Sequence, residues 1–169
     1  MEFYDYFSKT IIRPKELSKT EYHPEISNEQ IGLLSCSRNE DITTSSYLSF
    51  DIIKNATLER IGKIGFHAFK LDELFYGGNI DYTIYERFRN QGYGTESLAL
   101  LKEILKENTY AIKDGLLIST IPENIYSQKI AIKNGGILIY EGEVPKDNLL
   151  YQLDHVKDVK VYKISMKKK

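Results

Sequence analysis

The order of segments along the chain narrows the fold more than any single motif. Three short β-prone runs follow one another, residues 47–53 (YLSFDII), 60–69 (RIGKIGFHAF) and 80–85 (IDYTIY), before any helical period begins. Lys54, Asn55 and Ala56 separate the first two, and Tyr76, Gly77, Gly78 and Asn79 lead into the third, both as turn chemistry. Three consecutive antiparallel strands are predicted, with a further strand at 31–36 ahead of them. The period then changes. Residues 96–106 place Leu98, Leu101 and Leu105 at helical spacing, with Ala99, Leu100 and Ile104 beside them. Residues 115–120 (GLLIST) form a nearly continuous apolar run, as a strand buried on both faces requires. Pro122 and Asn124 open a second helix that Gly135 and Gly136 close, and 137–140 and 159–166 supply two last strands. The pattern βββ-α-β-α-β-β defines an α/β chain with a largely antiparallel front half. Residues 1–30 are less regular and have room for one or two short helices.

With 169 residues, 41% of them hydrophobic, the chain fits a single domain spanning 1–169. Lys and Arg number 23 against 24 Asp and Glu, a net charge of −1. No global attraction to nucleic acid or to an anionic membrane follows, so binding must come from a local site. Cys36 is the only cysteine, which excludes an intramolecular disulfide framework and a multi-cysteine metal site and suits a cytoplasmic setting. It reads as a small buried hydrophobe. The N-terminus mixes charges with aromatics and lacks the apolar core of a signal peptide, and no run approaches the roughly 18 apolar residues of a membrane span. The polar run 37–46 (SRNEDITTSS) reads as a loop and Lys167, Lys168 and Lys169 as a solvated tail. His23, His67 and His155 lack metal-ligand spacing and read as packing or surface residues, so no metal is expected. Thirteen tyrosines with no tryptophan complete cores with one polar end wet, and some can line a pocket or a subunit contact.

The passage from the third strand into the first helix carries the chemistry. Arg89, Asn90, Gln91, Gly92, Tyr93, Gly94 and Thr95 stand directly between them. Glycines at i and i+2 let the backbone approach a ligand and turn consecutive amides the same way, and a helix start adds unpaired N–H groups. Such a loop is either a phosphate cradle or a tight strand-to-helix turn. Charge-assisted bonds of about 1.5 to 3 kcal/mol each mean that three or four amides can hold a pyrophosphate. Neither a P-loop ending nor a three-glycine dinucleotide fingerprint is present.

On these residues the chain resembles the GNAT superfamily of acetyl-CoA-dependent N-acetyltransferases. Arg89-x-x-Gly92-x-Gly94 is similar to its Arg/Gln-x-x-Gly-x-Gly/Ala signature, preceded by Asp81-Tyr82-Thr83-Ile84 where relatives carry Gly-Tyr-x-Ile. Asn124-Ile125-Tyr126-Ser127 with Lys133-Asn134-Gly135-Gly136 is similar to the Asn-x-x-Ser…Lys-x-Gly segment of its ribosomal-protein-acetylating and small-molecule branches. The resemblance covers 47–166, the recognisable cofactor-binding core, and leaves 1–46 as a divergent N-terminal part. It implies a mixed, mostly antiparallel sheet flanked by helices, with a V-shaped cofactor cleft between the fourth and fifth strands. It further implies acetyl-CoA as cosubstrate. Backbone groups of Tyr82, Thr83 and Ile84 would hold the pantetheine arm, Arg89 and the amides from Asn90 to Thr95 the pyrophosphate, and Asn124 and Ser127 the region near the sulfur.

Direct attack by an amine on a thioester needs a neutral amine. A lysine-like amine of pKa about 10.4 sits roughly three units above neutrality, about 4 kcal/mol of deprotonation, so a base matters more than an acid. Some relatives carry a Glu where this chain has Gly77, Gly78 and Asn79, which leaves Asp81 as the nearest carboxylate, with Glu86, Asp72, Glu73 or a water chain as alternatives. Strand alternation turns Asp81 and Tyr82 to opposite faces. Many relatives use a Tyr as acid where this chain has Ala131, so Ser127 or Tyr126 is the remaining proton donor, although a helical Ser also serves as a capping hydroxyl. The expected activity is N-acetyl transfer to a primary amine of a small molecule. The alternatives are a peptide or protein N-terminus as acceptor, and a non-catalytic acyl-CoA-binding sensor. Exposed strand edges leave room for a homodimer.

Overall fold

The computed structural model describes residues 17–19, 21–36, 47–68, 75–107 and 113–166. The loop reading of 37–46, the lysine tail, Asp72, Glu73 and the first sixteen residues lie outside them. Among the described residues of this region, 17–19 and 21–30, there is no helix, and a two-residue strand, β1 (Ile26–Ser27), forms instead. After it come β2 (Ile31–Ser35), β3 (Tyr47–Lys54), β4 (Glu59–His67) and β5 (Ile80–Ile84), which pair in chain order as one antiparallel sheet. A short 3₁₀ turn (Glu86–Phe88) leads to helix α1 (Tyr93–Leu105). Then follow β6 (Leu116–Thr120), α2 (Ile125–Lys133), β7 (Ile137–Glu143), α3 (Leu149–Asp154) and β8 (Asp158–Ile164), with β8 central in a second antiparallel sheet ordered β6-β8-β7.

Helix α1 buries Leu98, Leu101 and Leu105 completely against β2, β4 and β5, whose inward residues include Leu33, Ile64 and Ile80. Each such side chain contributes about 1.5 to 3 kcal/mol. Ala99, expected beside the stripe, faces solvent. The helix also begins three residues earlier than its apolar period, because Gly92 in the left-handed region (φ 86°) caps it. Asn28 holds this first turn from the β1–β2 connection, donating to Glu96 Oε2 at 2.7 Å.

The apolar run of β6 is explained by cores on both of its faces. Leu116 and Ile118 join the core under α1, while Leu117 joins a second one with Val144, Leu150, Val156, Val159 and Val161. Helix α3 covers that second core and falls between the two last predicted strands, where the sequence suggested no element. Its Asn148 cap accepts from Leu150 N–H at 2.9 Å, and only Leu150 of its six residues is buried. Cys36 is exposed, contrary to the expectation of a buried hydrophobe, because the chain leaves β2 one residue before it. Edge strand β7 exposes Ile137, Leu138 and Ile139. Among the described residues, no helix is long and apolar enough to cross a membrane.

Candidate active site

The two sheets meet at one clasp and then part. Asn79, buried, donates its N–H to Leu117 O at 3.0 Å, and its side-chain Oδ1 accepts Leu117 N–H at 2.8 Å. Gly78 bridges to Ile118 with φ 75°, and a Cβ there would lie 2.8 Å from Leu117 O and 2.9 Å from Ser119 N. Only glycine fits this approach of two backbones. The Gly-Gly-Asn segment that lacks a carboxylate therefore serves as the joint between sheets. Beyond it β5 forms its ladder with β4 alone, which makes the expected opening one between β5 and β6, the fourth and fifth strands of the sequence reading.

Register decides which backbone groups of β5 face that opening. Tyr85 N–H donates to Ile61 O at 2.9 Å and His67 N–H to Asn79 O at 2.8 Å, so alternate residues Asp81, Thr83 and Tyr85 are bonded toward β4. The N–H and C=O groups of Ile80, Tyr82 and Ile84 point the other way. Of the three residues singled out for a pantetheine arm, Tyr82 and Ile84 are oriented for it and Thr83 is turned to Lys63. Arg89 folds back, its Nε donating to Ile84 O at 3.0 Å.

The loop after β5 is open at its crest. Asn90 (φ 62°) and Gly92 (φ 86°) both adopt left-handed conformations, and nothing lies within 4 Å of a Cβ built on Gly92. Arg89 N–H is spent on Glu86 O, and Thr95 and Glu96 N–H on Gly92 O. Between them, the amides of Asn90, Gln91, Gly92, Tyr93 and Gly94 donate to no described acceptor. Gln91 is anchored through Nε2 to Arg87 O. A concave run of amides at a helix start suits an anion. Gly94 serves packing instead: a Cβ there would come within 2.7 Å of Ile130 Cδ1 on α2. Asn134 adds a second tie, donating to Thr95 O at 3.2 Å and to Ile130 O at 3.1 Å.

Helix α2 brings Ser127 to β5. Asn124 caps the helix, its Oδ1 accepting Ser127 N–H at 3.1 Å, so this oxygen is engaged by the helix itself. Ser127 is 4% exposed, and its Oγ lies 2.7 Å from the hydroxyl of Tyr82. Tyr126 is 59% exposed, so the structure separates the two proton-donor candidates. Sequence reasoning took only the backbone of Tyr82 and missed its hydroxyl, because partners 45 residues apart leave no local trace.

On the other face of β5, Asp81 Oδ2 meets His67 Nε2 at 2.9 Å, with side chains 20% and 36% exposed. Tyr47 stacks on the His67 ring, centroids 4.4 Å apart. Burial, and secondarily the charge of Asp81, push the Tyr47 phenol above its ordinary value. His67, expected to be a plain packing or surface residue, is thus paired with the carboxylate that the sequence singled out. Glu86 is exposed on the 3₁₀ turn.

This geometry has counterparts among known proteins. Residues 4–137 match the family model described as acetyltransferase (GNAT) domain, and the chain belongs to that family. Its fold is similar to that of a microcin C7 self-immunity acetyltransferase solved with acetyl-CoA and AMP, with 17% identity, TM-score 0.53, and coverage of 71% of this chain and 61% of that one. A GNAT-family acetyltransferase from Bacillus anthracis matches with 20% identity, TM-score 0.51 and coverage of 70% and 66%. A ribosomal L7/L12 alpha-N-protein acetyltransferase matches with 18% identity, TM-score 0.52 and coverage of 73% and 72%. The chain thus spans somewhat less than two thirds of the first two, and the likeness to all three is one of fold. A search of curated proteins found no match.

Proposed function

We propose that the chain is an acetyl-CoA-dependent N-acetyltransferase that acylates a primary amine of a small molecule by direct attack in a ternary complex. The observation that carries this reading is the continuity of three features along one opening. Free amides of Asn90 through Gly94 suit a pyrophosphate, β5 turns backbone groups of Tyr82 and Ile84 inward, and the Tyr82–Ser127 hydroxyl pair lies at the strand's centre. Membership of the acetyltransferase family supports the same assignment.

When bound, acetyl-CoA supplies an activated acetyl thioester. The chain's own groups then have separable tasks. The loop binds the anionic part, and β5 orients the arm as an added strand would be oriented. A backbone N–H of β5 that faces the opening is suited to steadying an oxyanion. Ser127 Oγ, buried, and Tyr82 Oη, hydrogen-bonded to each other, are suited to delivering a proton to a departing sulfur. This reading includes a cytoplasmic setting and, through the exposed edge of β7, a homodimer.

Calorimetric titration with acetyl-CoA, free CoA and dephospho-CoA, followed by thiol release with a panel of amines, tests the proposal. Micromolar, near-stoichiometric binding is expected, together with amine-dependent turnover and loss of binding in Gly92→Glu. Binding without turnover by any amine selects the sensor. Absence of binding returns the loop to a tight turn.

A further inference from the structure

We infer that Asn28 is a positioning residue for the glycine loop after β5: it holds the carboxylate of Glu96 against the β1–β2 connection, and so keeps the acidic side chain in the first turn of α1 off the loop amides. This rests on the acetyltransferase reading above. It deepens that reading by giving the loop a partner in the N-terminal part of the chain, which carries none of the sequence motifs.

The argument begins with a conflict at the start of α1. The amides of Asn90 through Gly94 donate to no described acceptor, and a helix start attracts negative charge whether that charge belongs to a ligand or to the protein itself. Glu96 is the acidic residue of this first turn. It stands three residues after Tyr93, the spacing at which the carboxylate of a capping box reaches back to a backbone N–H. The residues three and four positions from it are Gly92, Tyr93, Ala99 and Leu100, so no neighbour on the helix neutralises it. Among the described residues it joins no ion pair. Left to itself, this carboxylate would compete with a pyrophosphate for the same donors.

Asn28 removes the conflict. Its Nδ2 donates to Glu96 Oε2 at 2.7 Å, between residues 68 apart in sequence. The other end of the amide fixes the direction of this bond. Asn28 Oδ1 accepts the N–H groups of Gln30 and Ile31, both at 2.9 Å, an Asx turn that leaves Nδ2 as the atom facing the helix. Its backbone is held as well: the N–H donates to Ile31 O at 2.9 Å, and the C=O accepts Asn55 Nδ2 at 2.7 Å from the β3–β4 turn. Asn55 Oδ1 in turn accepts the Tyr22 hydroxyl. A network through Tyr22, Asn55 and Asn28 thus fixes one amide, and that amide fixes one carboxylate.

The other side of the turn is secured from α2, where Asn134 donates to Thr95 O at 3.2 Å and Ile130 packs at Gly94. These ties engage backbone and apolar atoms and carry no charge. Asn28 is therefore the contact that decides where the negative charge of Glu96 lies.

The test uses substitutions that separate the turn from the donor. Asn28→Asp keeps an oxygen for the Gln30 and Ile31 amides but sets a second carboxylate against that of Glu96. Asn28→Ser keeps a turn acceptor and adds no charge. Each is made alone and together with Glu96→Gln. Calorimetry gives acetyl-CoA affinity, thiol release with an aliphatic diamine gives kcat at saturation, and urea midpoints report folding. Asn28→Asp should weaken acetyl-CoA binding about 10-fold and Asn28→Ser about threefold, with kcat at saturation close to wild type. Adding Glu96→Gln should restore affinity to within about twofold of wild type in both backgrounds, most fully beside Asn28→Asp, where donor and acceptor have changed places. A merely structural role gives a different pattern. Wild-type affinity in Asn28→Asp, or a loss that Glu96→Gln does not restore, overturns this inference alone. Should Asn28→Asp fail to fold, Asn28→Ser with and without Glu96→Gln decides by the same criterion. Wild type that does not bind acetyl-CoA overturns the acetyltransferase reading and this inference with it.

Discussion

The two faces of β5 carry hydrogen-bonded side-chain pairs in different surroundings. Tyr82 reaches a serine from a distant helix and forms a hydroxyl pair in which Ser127 is 4% exposed, while Asp81 reaches a histidine on the adjacent strand whose side chain is 36% exposed. The serine of this pair is buried, and Tyr82 is half-buried. One strand thus separates a hydroxyl pair beneath the helices from a carboxylate–imidazole pair on its other face, and the clasp at Gly78 and Asn79 stands at the start of that strand.

Breaking the clasp should have the largest effect, because both faces depend on it. Gly78→Ala places a methyl 2.8 Å from Leu117 O in a backbone conformation of φ 75°. Strain of this kind costs about 1 to 3 kcal/mol before the displacement of β6 is counted. A matching fall in unfolding free energy in urea is expected, with loss of thiol release and of acetyl-CoA binding together. Gly77→Ala is the control, since nothing lies within 4 Å of a Cβ there. Equal stability of the two variants would show that the sheets are not joined at Gly78.

Next in size is the face beneath the helices. Tyr82→Phe and Ser127→Ala should each lower kcat about 10- to 100-fold, within the range of a lost proton donor. The double variant should lose little more than either single one, because the hydroxyls act as a unit. Single-turnover thiol release at saturating acetyl-CoA reads this coupling. Additive losses would separate the two hydroxyls, and an intact rate in Ser127→Ala would end its role as donor.

The glycine loop after β5 is set apart from both faces and sharpens the comparison if it changes affinity alone. Gly92 has φ 86° but open space around it, so Gly92→Ala strains the backbone without a clash. A weakening of acetyl-CoA binding by about 5- to 30-fold, equivalent to about 1 to 2 kcal/mol, is expected, with kcat at saturation close to wild type. Calorimetry beside saturation kinetics checks it. A fall in kcat with unchanged affinity would place the loop's effect on the proton-handling groups instead.

These three regions differ in how far the amino-acid order reveals them. The loop was legible because its glycines, its amides and the helix start are contiguous, and its chemistry is written within seven residues. Asp81 and Ser127 were legible as types at suggestive positions. Their partners were not, since Tyr82–Ser127 and His67–Asp81 span 45 and 14 residues and arise only from strand register and helix placement. His67 gave no local sign, because a histidine at the end of a β-prone run also reads as a surface residue. The main strands and the first helix followed from apolar period and the second helix from the residues that bound it, whereas α3 escaped notice because six residues with one buried side chain carry almost no period. Asn79 shows the opposite case: a residue expected only to turn the chain is buried by the meeting of two sheets, which no local pattern encodes.

The smallest effect expected separates two phenols by alkaline titration. Burial first, and the charge of Asp81 second, raise the Tyr47 phenol above 10.0, while Tyr85 is raised by burial and then by Asp51. A phenol whose pKa is higher in the folded state keeps its proton longer there than in the unfolded chain. Stability from this source is therefore complete below about pH 10 and falls as pH rises from that value through the folded pKa. Tyr47→Phe should flatten the alkaline decline of the unfolding free energy slightly, and so should Tyr85→Phe. Asp81→Asn should reproduce part of the first effect and none of the second, because its carboxylate acts on Tyr47. Urea midpoints between pH 8 and 11 measure the difference. An identical alkaline slope in wild type and Asp81→Asn would mean that Asp81 and Tyr47 are not electrostatic neighbours, and the framing of His67 by both would fail with it.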